Sequence, residues 1–326
     1  MFIRGNFFIP DARIGWVNPS VRYLKQYLSE NNVDCIITSG PPHSLHLIGM
    51  HLKEATQLPW ITDFRDPWTT IHYHESLRLT NISAKKHKRL ESEVLQKADH
   101  ILVTSPSTQK EFRALTQKPI TVITNGYEPI DGIRSSLDNT FSLAHIGSLL
   151  TERNPEILWE VLSEIATTNK AFGEDLQITL AGAVSEEVVS SIASYGLTKN
   201  TVLKGYVSHK EAIQMQHNAQ VLLLLEIDSE ATKAIIPGKL FEYLQARRPI
   251  LAIGPNGSDM EAIIVTTQSG IYVNPNEKEH LKKHIVTLYA AYQNTDLNIE
   301  SKQIESFSRK ALTQKLASVI EITSGV

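Results

Sequence analysis

Residues 236–258 read IPGKLFEYLQARRPILAIGPNGS, and the fold turns on how this stretch is parsed. Pro237 and Gly238 open it, and Leu240, Phe241 and Leu244 then recur at the spacing of one helical face. Arg247 and Arg248 end that pattern, Pro249 cannot continue it, and ILAI at 250–253 is an apolar run of strand length. GPNGS at 254–258 turns into the next helix. Helix, buried strand and helix in close succession make the repeating unit of a parallel α/β sheet.

The same residues carry chemistry. A proline in a first helical turn loses no hydrogen bond, because its missing N–H would be unpaired there anyway. Gly238 lets a ligand approach the backbone, and the free N–H groups and positive dipole of a helix start suit a phosphate. Lys239 adds a mobile positive charge for the same oxygens. Glu242 lies one turn beyond Gly238 on the same face, where a carboxylate could bind the vicinal hydroxyls of a ribose. Together these parts describe a nucleotide-diphosphate clamp. The plainer reading is an amphipathic helix with a solvated Glu242, whose Arg247 and Arg248 complement the C-terminal dipole.

With 326 residues the chain is long enough for two domains, and 41% hydrophobic with 21% charged residues is ordinary globular composition. A net charge of -3 gives no overall attraction to nucleic acid. The single cysteine, Cys35, forms no internal disulfide and reads as a strand core residue in a reducing compartment. No apolar stretch approaches the ~18 residues of a membrane span, and MFIRGNFFIPDAR lacks a signal peptide's apolar core. A cytoplasmic protein is expected.

Short apolar runs alternate with helical patterns along the whole chain. In the first half the strands are expected at 35–38, 60–62, 101–103 and 120–123, with helices over about 18–30, 43–55, 84–97 and 108–115. Turn formers without periodicity at 131–139 mark the linker, so the domains are taken as 1–132 and 133–326. Beyond it, strands are expected at 141–144, 176–180, 201–203, 221–225, 250–253 and 271–273. The last helices, within 278–322, would pack back on the first domain. About four strands precede the linker and about six follow it.

PGKLFEYL followed by RRPILAIGP resembles the donor-binding segment of group 1, family 4-like glycosyltransferases of the GT-B fold. The resemblance implies two Rossmann-like doubly wound α/β domains with a donor between them. In that family the turn at Pro237, Gly238 and Lys239 holds the nucleotide diphosphate, and Glu242 matches the ribose-binding glutamate. An earlier family glutamate, eight positions upstream, is here Ala234. Sugar recognition is therefore expected to differ, or to be shared among Glu226, Asp228 and Glu230. The loop GSLLTERNP at 147–155 matches one that approaches the diphosphate, which gives Gly147 a place there and Arg153 a bidentate phosphate-binding role. Its plain reading is a helix start capped by Asn154 with Pro155 at the first position. KGYV at 204–207 resembles the strand end whose backbone, around Val207, meets the base.

In the first half, SGPPHSLHLIG at 39–49 matches a segment of one bacterial branch, and His43 would face acceptor or donor. DFRDPW at 63–68 stands where relatives carry a histidine–aspartate pair. Arg65 takes the histidine's place and stays protonated, so Asp66 is the candidate base. An Asp–Arg pair bracing the loop is the plain alternative. Nothing in residues 1–16 resembles the family's opening strand and glycine-rich loop, so an incomplete N-terminal domain is expected.

The resemblance implies a retaining hexosyltransferase acting in bacterial surface polysaccharide or lipopolysaccharide synthesis. It would use a nucleotide-sugar co-substrate, no further cofactor and no metal. His72 and His74 lack a third ligand nearby, and Asp228-Ser229-Glu230 is too short a match to an acidic metal motif to count. The alternatives are a non-catalytic nucleotide-sugar-binding remnant and a nucleotide-sugar 2-epimerase. Lys85, Lys86, Lys88 and Arg89 read as a solvated helix face or as a contact with an anionic leaflet presenting a lipid-linked acceptor.

Overall fold

The computed structural model describes residues 2–130, 132 and 136–325, without the side chains of His72, Tyr73 and Glu75. The linker stretch read at 131–139 therefore lies partly outside the described residues, as does the side chain of His72. The chain divides into two compact units, one of residues up to Asn125 with 309 onward, the other of residues 126–308.

In the first unit β1 (Ile36–Gly40), β2 (Trp60–Phe64), β3 (His100–Val103) and β4 (Ile120–Val122) form a parallel sheet in that order. Helices α1 (Phe2–Phe7), α2 (Val17–Glu30), α3 (Ser44–Thr56), α4 (Asn81–Lys97) and α5 (Pro106–Arg113) belong to it, as does the terminal helix Arg309–Ser324. Alternation along the strands decides which side chain faces which layer. Trp60, Phe64, Ile101 and Val103 join the core with Leu95 and Phe112, while Ile61 and Leu102 point the other way onto Val319 of the terminal helix. Two local signals set α4 and α5: Thr80 and Ser105 cap them by accepting from Ser83 N and Thr108 N. The sequence reading missed α1, and Cys35 stands just before β1, half-buried rather than within a strand.

In the second unit β5 (Phe141–Ile146), β6 (Leu176–Ala181), β7 (Thr201–Gly205), β8 (Val221–Leu225), β9 (Ile250–Ile253) and β10 (Gly270–Val273) are all parallel. Their order is β10-β9-β8-β5-β6-β7. Helices α6 (Glu156–Thr168), α7 (Lys170–Asp175), α8 (Glu186–Ser194), α9 (His209–Asn218), α10 (Gly238–Ala246), α11 (Asp259–Thr267) and α12 (Lys278–Gln293) complete it. The run VLLLL of β8 is apolar throughout because both faces are covered. Leu223 and Leu225 pack with Trp159 and Leu251, whereas Leu222 and Leu224 pack with Leu240, Phe241 and Leu244 of α10. Each such leucine, removed from water completely, stabilises by roughly 2 kcal/mol.

Strand order fixes where a ligand can sit. The chain lays down β5, β6 and β7 outward in one direction, then returns to place β8, β9 and β10 on the other side of β5. The connections after β5 and β8 diverge and leave a crevice at the carboxyl ends of those strands.

Candidate functional site

Four strand ends and one helix start converge at that crevice within the second unit. Ile146 ends β5, Ala181 ends β6, Leu225 ends β8 and Ile253 ends β9, and α10 begins at Gly238 beside them. Pro237 is the N-cap rather than the first helical residue and supplies no side-chain cap. The first backbone bond there runs from Leu240 N to Pro237 O at 3.0 Å. Among the described residues, nothing lies within 4 Å of where a Cβ on Gly238 would stand. The helix therefore presents open donors at its positive end. Tyr243, wholly buried on the same helix, accepts from Ile146 N at 2.9 Å and so ties α10 to the end of β5.

Lys239 and Gly147 come together here. Gly147 has φ +134°, and a Cβ built on it would lie 2.6 Å from Lys239 Nζ. The ammonium thus occupies the space that a side chain at position 147 would need. Gly182, at the end of β6 with φ +115°, approaches the Gly147 carbonyl so closely that its own Cβ would stand 2.7 Å from that carbon. Burial, helped by the neighbouring Arg153 guanidinium, lowers Lys239 to about 8, against the weaker pull of Glu226 and Glu242. Among the described residues no carboxylate lies within ion-pair distance of Lys239.

Arg153 does find a carboxylate: its Nε donates to Glu226 Oε1 at 3.1 Å. Glu226 directly follows β8, and its side chain is only 2% exposed. Oε1 also accepts from Ile227 N at 2.9 Å, while Oε2 is buried with no partner. The sequence reading placed Glu226 among the acids that could share sugar recognition, and gave it no pairing with Arg153. Asn154 does not cap α6, because its Oδ1 accepts from Trp159 Nε1 at 2.8 Å and Pro155 takes the N-cap place.

Glu242 lies half-buried one turn along α10 and accepts from Gln216 Nε2 of α9 at 2.7 Å. Glu230 is well exposed and pairs with Lys233 at 2.7 Å. Val207, half-buried beyond β7, packs on the α10 side of the core. The shared role read for Arg247 and Arg248 is corrected. Arg247 pairs with Glu305 at 3.2 Å, and Arg248 turns inward to the carbonyls of Ala219, Gln220 and Leu297. A buried guanidinium has five donors to satisfy, and those carbonyls lie within its reach.

The first unit gathers its own polar residues at the carboxyl ends of β1 and β2. His43 is 7% exposed, stands at the N-cap of α3 and stacks on Trp68 with centroids 4.9 Å apart. Its Nδ1 is buried without a partner. Asp11, which the sequence reading did not single out, binds Ser44 N at 2.8 Å and so caps α3 across 33 positions. Arg65 donates to Asn125 and stands 4.0 Å from Asp63, so the bracing pair is Asp63–Arg65. Asp66 is half-buried beside it. Thr69 N and Oγ1 bind the buried Glu91 at 3.1 and 2.6 Å, and Trp68 Nε1 donates to His87 Nδ1 at 3.1 Å, which locks the loop onto α4. No cluster of three metal-ligating side chains occurs among the described residues.

Burial, partly opposed by Asp11, holds His43 down at about 4 against an ordinary 6.5. The unfolded chain therefore takes up this proton first, so stability falls as pH drops below 6.5 and the loss saturates below about 4. Roughly 3 kcal/mol follows from such a shift once fully developed. Melting temperatures between neutral pH and about pH 5 should decline in the wild type and decline less steeply in His43→Gln.

Residues 3–129 match the family described as Glycosyltransferase Family 4, and residues 140–291 match Glycosyl transferases group 1. No curated protein matches the chain by sequence. Among solved structures, sucrose-phosphate synthase from Thermosynechococcus elongatus is similar at 14% identity and TM-score 0.64, over 95% of this chain and 79% of that one. The lipopolysaccharide outer core galactosyltransferase WaaB, in its apo form, shows 15% identity and TM-score 0.64 over 93% and 79%. Anabaena HepE, in complex with UDP and glucose, shows 17% and 0.63 over 93% and 81%. Likeness at these identities speaks to the fold, whereas the two family matches speak to descent across both halves. With parallel sheets in both units and the glycine-lined crevice at β5, the chain belongs to the group 1 glycosyltransferases of the GT-B fold.

Proposed function

We propose that the second unit binds a nucleotide-diphosphate sugar at the start of α10 and that the protein transfers the sugar to a hydroxyl acceptor of a surface glycan. The observation that carries the reading is Lys239. It is a largely desolvated ammonium at an uncapped helix start, with no carboxylate partner among the described residues. Burying a charge is costly unless a partner of opposite charge completes the site, and a diphosphate is such a partner. Lys239, Arg153 and the first N–H groups of α10 would then stabilise the charge that develops on the leaving diphosphate. Gly147 and Gly182 keep backbone close to it, Val207 lies toward the base, and Glu242 takes the ribose hydroxyls. Glu242 already accepts from Gln216, so the ribose would share its remaining lone pairs. In the first unit Asp66 is the proposed base, with Arg65 and His43 shaping its surroundings.

Thermal shifts with UDP, GDP and their sugars test the assignment. One nucleotide should raise the melting temperature of the wild type by several degrees at saturating ligand, with a smaller rise in Glu242→Ala. No rise with any of them sinks the donor site, and an equal rise in Glu242→Ala sinks the ribose role alone.

The acceptor is proposed to be presented at a membrane surface. Lys85, Lys86, Lys88 and Arg89 are exposed along α4, and Ile82 at its start is 82% exposed. No helix among the described residues is long and apolar enough to cross a membrane. Co-sedimentation with anionic vesicles should weaken severalfold in Lys85→Glu/Lys86→Glu and with added salt. Unchanged sedimentation removes this contact from the account.

A further inference from the structure

His145 lies inside the buried run FSLAHI of β5, wholly removed from solvent, and its ring touches polar atoms on both edges. Nδ1 stands 3.0 Å from the Leu223 carbonyl, which can only accept, so Nδ1 carries the proton. Nε2 stands 3.1 Å from Lys239 Nζ. An imidazolium there would set two cations against each other in a dry site, with Arg153 as a third. The ring is therefore neutral, and its bare Nε2 accepts from the lysine ammonium. The Ser148 carbonyl at 3.4 Å from Nε2 is too long to compete.

Resting on the donor-site reading above, we propose that His145 is a positioning residue for the diphosphate. The Leu223 carbonyl fixes its tautomer, and its Nε2 holds the Lys239 ammonium over Gly147 at the mouth of α10. A lysine has a long flexible stem, and an ammonium left free to rotate costs entropy each time it is organised around a ligand. A neutral acceptor restrains it without cancelling its charge, which a carboxylate in the same place would do. This also accounts for a polar ring inside a wholly buried strand, where the plain alternative is a histidine retained for packing.

The groups facing Lys239 are His145 from β5, Arg153 from the loop after it, Glu226 after β8 and Glu242 on α10 itself. Of these, the histidine is the one in hydrogen-bond contact. Removing its acceptor leaves the ammonium buried without that bond, which lowers the pH at which the lysine loses its charge.

UDP and GDP titrated calorimetrically into wild type, His145→Leu, His145→Gln and Lys239→Met from about pH 6.5 to about pH 9 provide the test. The ratio of variant to wild-type affinity at each pH cancels the titration of the nucleotide itself. Wild-type affinity should fall as pH rises through about 8, the value for Lys239. In His145→Leu affinity should be about tenfold lower at neutral pH, as loss of a hydrogen bond to a charged group implies, and the fall should begin at lower pH. His145→Gln, whose amide oxygen can reach the ammonium, should recover most of both effects, and Lys239→Met should be flat across the window. A folded His145→Leu with the wild-type profile overturns the proposal, and so does a His145→Gln as impaired as His145→Leu. If Lys239→Met loses affinity while both histidine variants match the wild type, the donor site stands and His145 has no part in it. If the wild type binds neither nucleotide at any pH, the donor-site reading falls and this proposal with it.

Discussion

Replacing Lys239 with methionine is expected to lower transfer from a nucleotide-sugar donor by about a hundredfold in kcat/KM, the scale of removing one pre-placed charge from a developing anion. Methionine keeps most of the aliphatic stem and removes the ammonium 3.1 Å from His145. That ammonium is desolvated with no carboxylate within ion-pair distance among the described residues, so relief from burying a charge offsets the hydrogen bond that His145 Nε2 loses. The melting temperature of Lys239→Met should therefore equal or exceed that of the wild type. Activity and stability move apart, which a purely structural lysine would not produce. A Lys239→Met protein that transfers sugar at the wild-type rate, or one that simply unfolds, contradicts the role.

Arg153→Ala should behave in the opposite way and lose both. Arg153 covers Glu226, whose side chain is only 2% exposed and whose second oxygen already lacks a partner. Taking away the guanidinium leaves a carboxylate buried and unpaired, at a cost of about 3 kcal/mol. The double variant Arg153→Ala/Glu226→Gln should regain much of that stability, since a neutral amide can still accept from Ile227 N. It should not regain activity, because the phosphate-facing charge stays absent. Chemical denaturation of the two variants beside the wild type measures the difference. Equal stability of the single and double variants would show that the pair is solvated and carries little energy.

The parts of this fold legible in the sequence are those built by local rules. VLLLL at β8 and ILAI at β9 are unbroken apolar runs because helices cover both faces of the sheet, and they were placed to the residue. The start of α10 was legible because Pro237 and Gly238 mark it without any distant partner. What the sequence hid depends on contacts between residues far apart in the chain. Asp11 caps α3 from 33 positions away, and Arg248, just before β9, reaches the carbonyls of Ala219 and Gln220 just before β8. His145 was invisible for a different reason. A histidine in FSLAHI reads as noise until the strand register sets its Nδ1 against Leu223 and α10 brings Lys239 to its Nε2. Glu226 was visible as an acid, yet nothing local showed that Arg153, 73 positions earlier, would pair with it.

Binding of the diphosphate moiety alone tests the central claim most directly. Wild type and Lys239→Met would each be titrated with UDP and GDP, and in parallel with uridine and guanosine. The wild type should bind one of the diphosphates far more tightly than its nucleoside, and Lys239→Met should lose most of that margin while its nucleoside affinity stays unchanged. A wild type that binds diphosphate and nucleoside equally, or a Lys239→Met protein that keeps the full margin, would place the phosphates somewhere other than the mouth of α10.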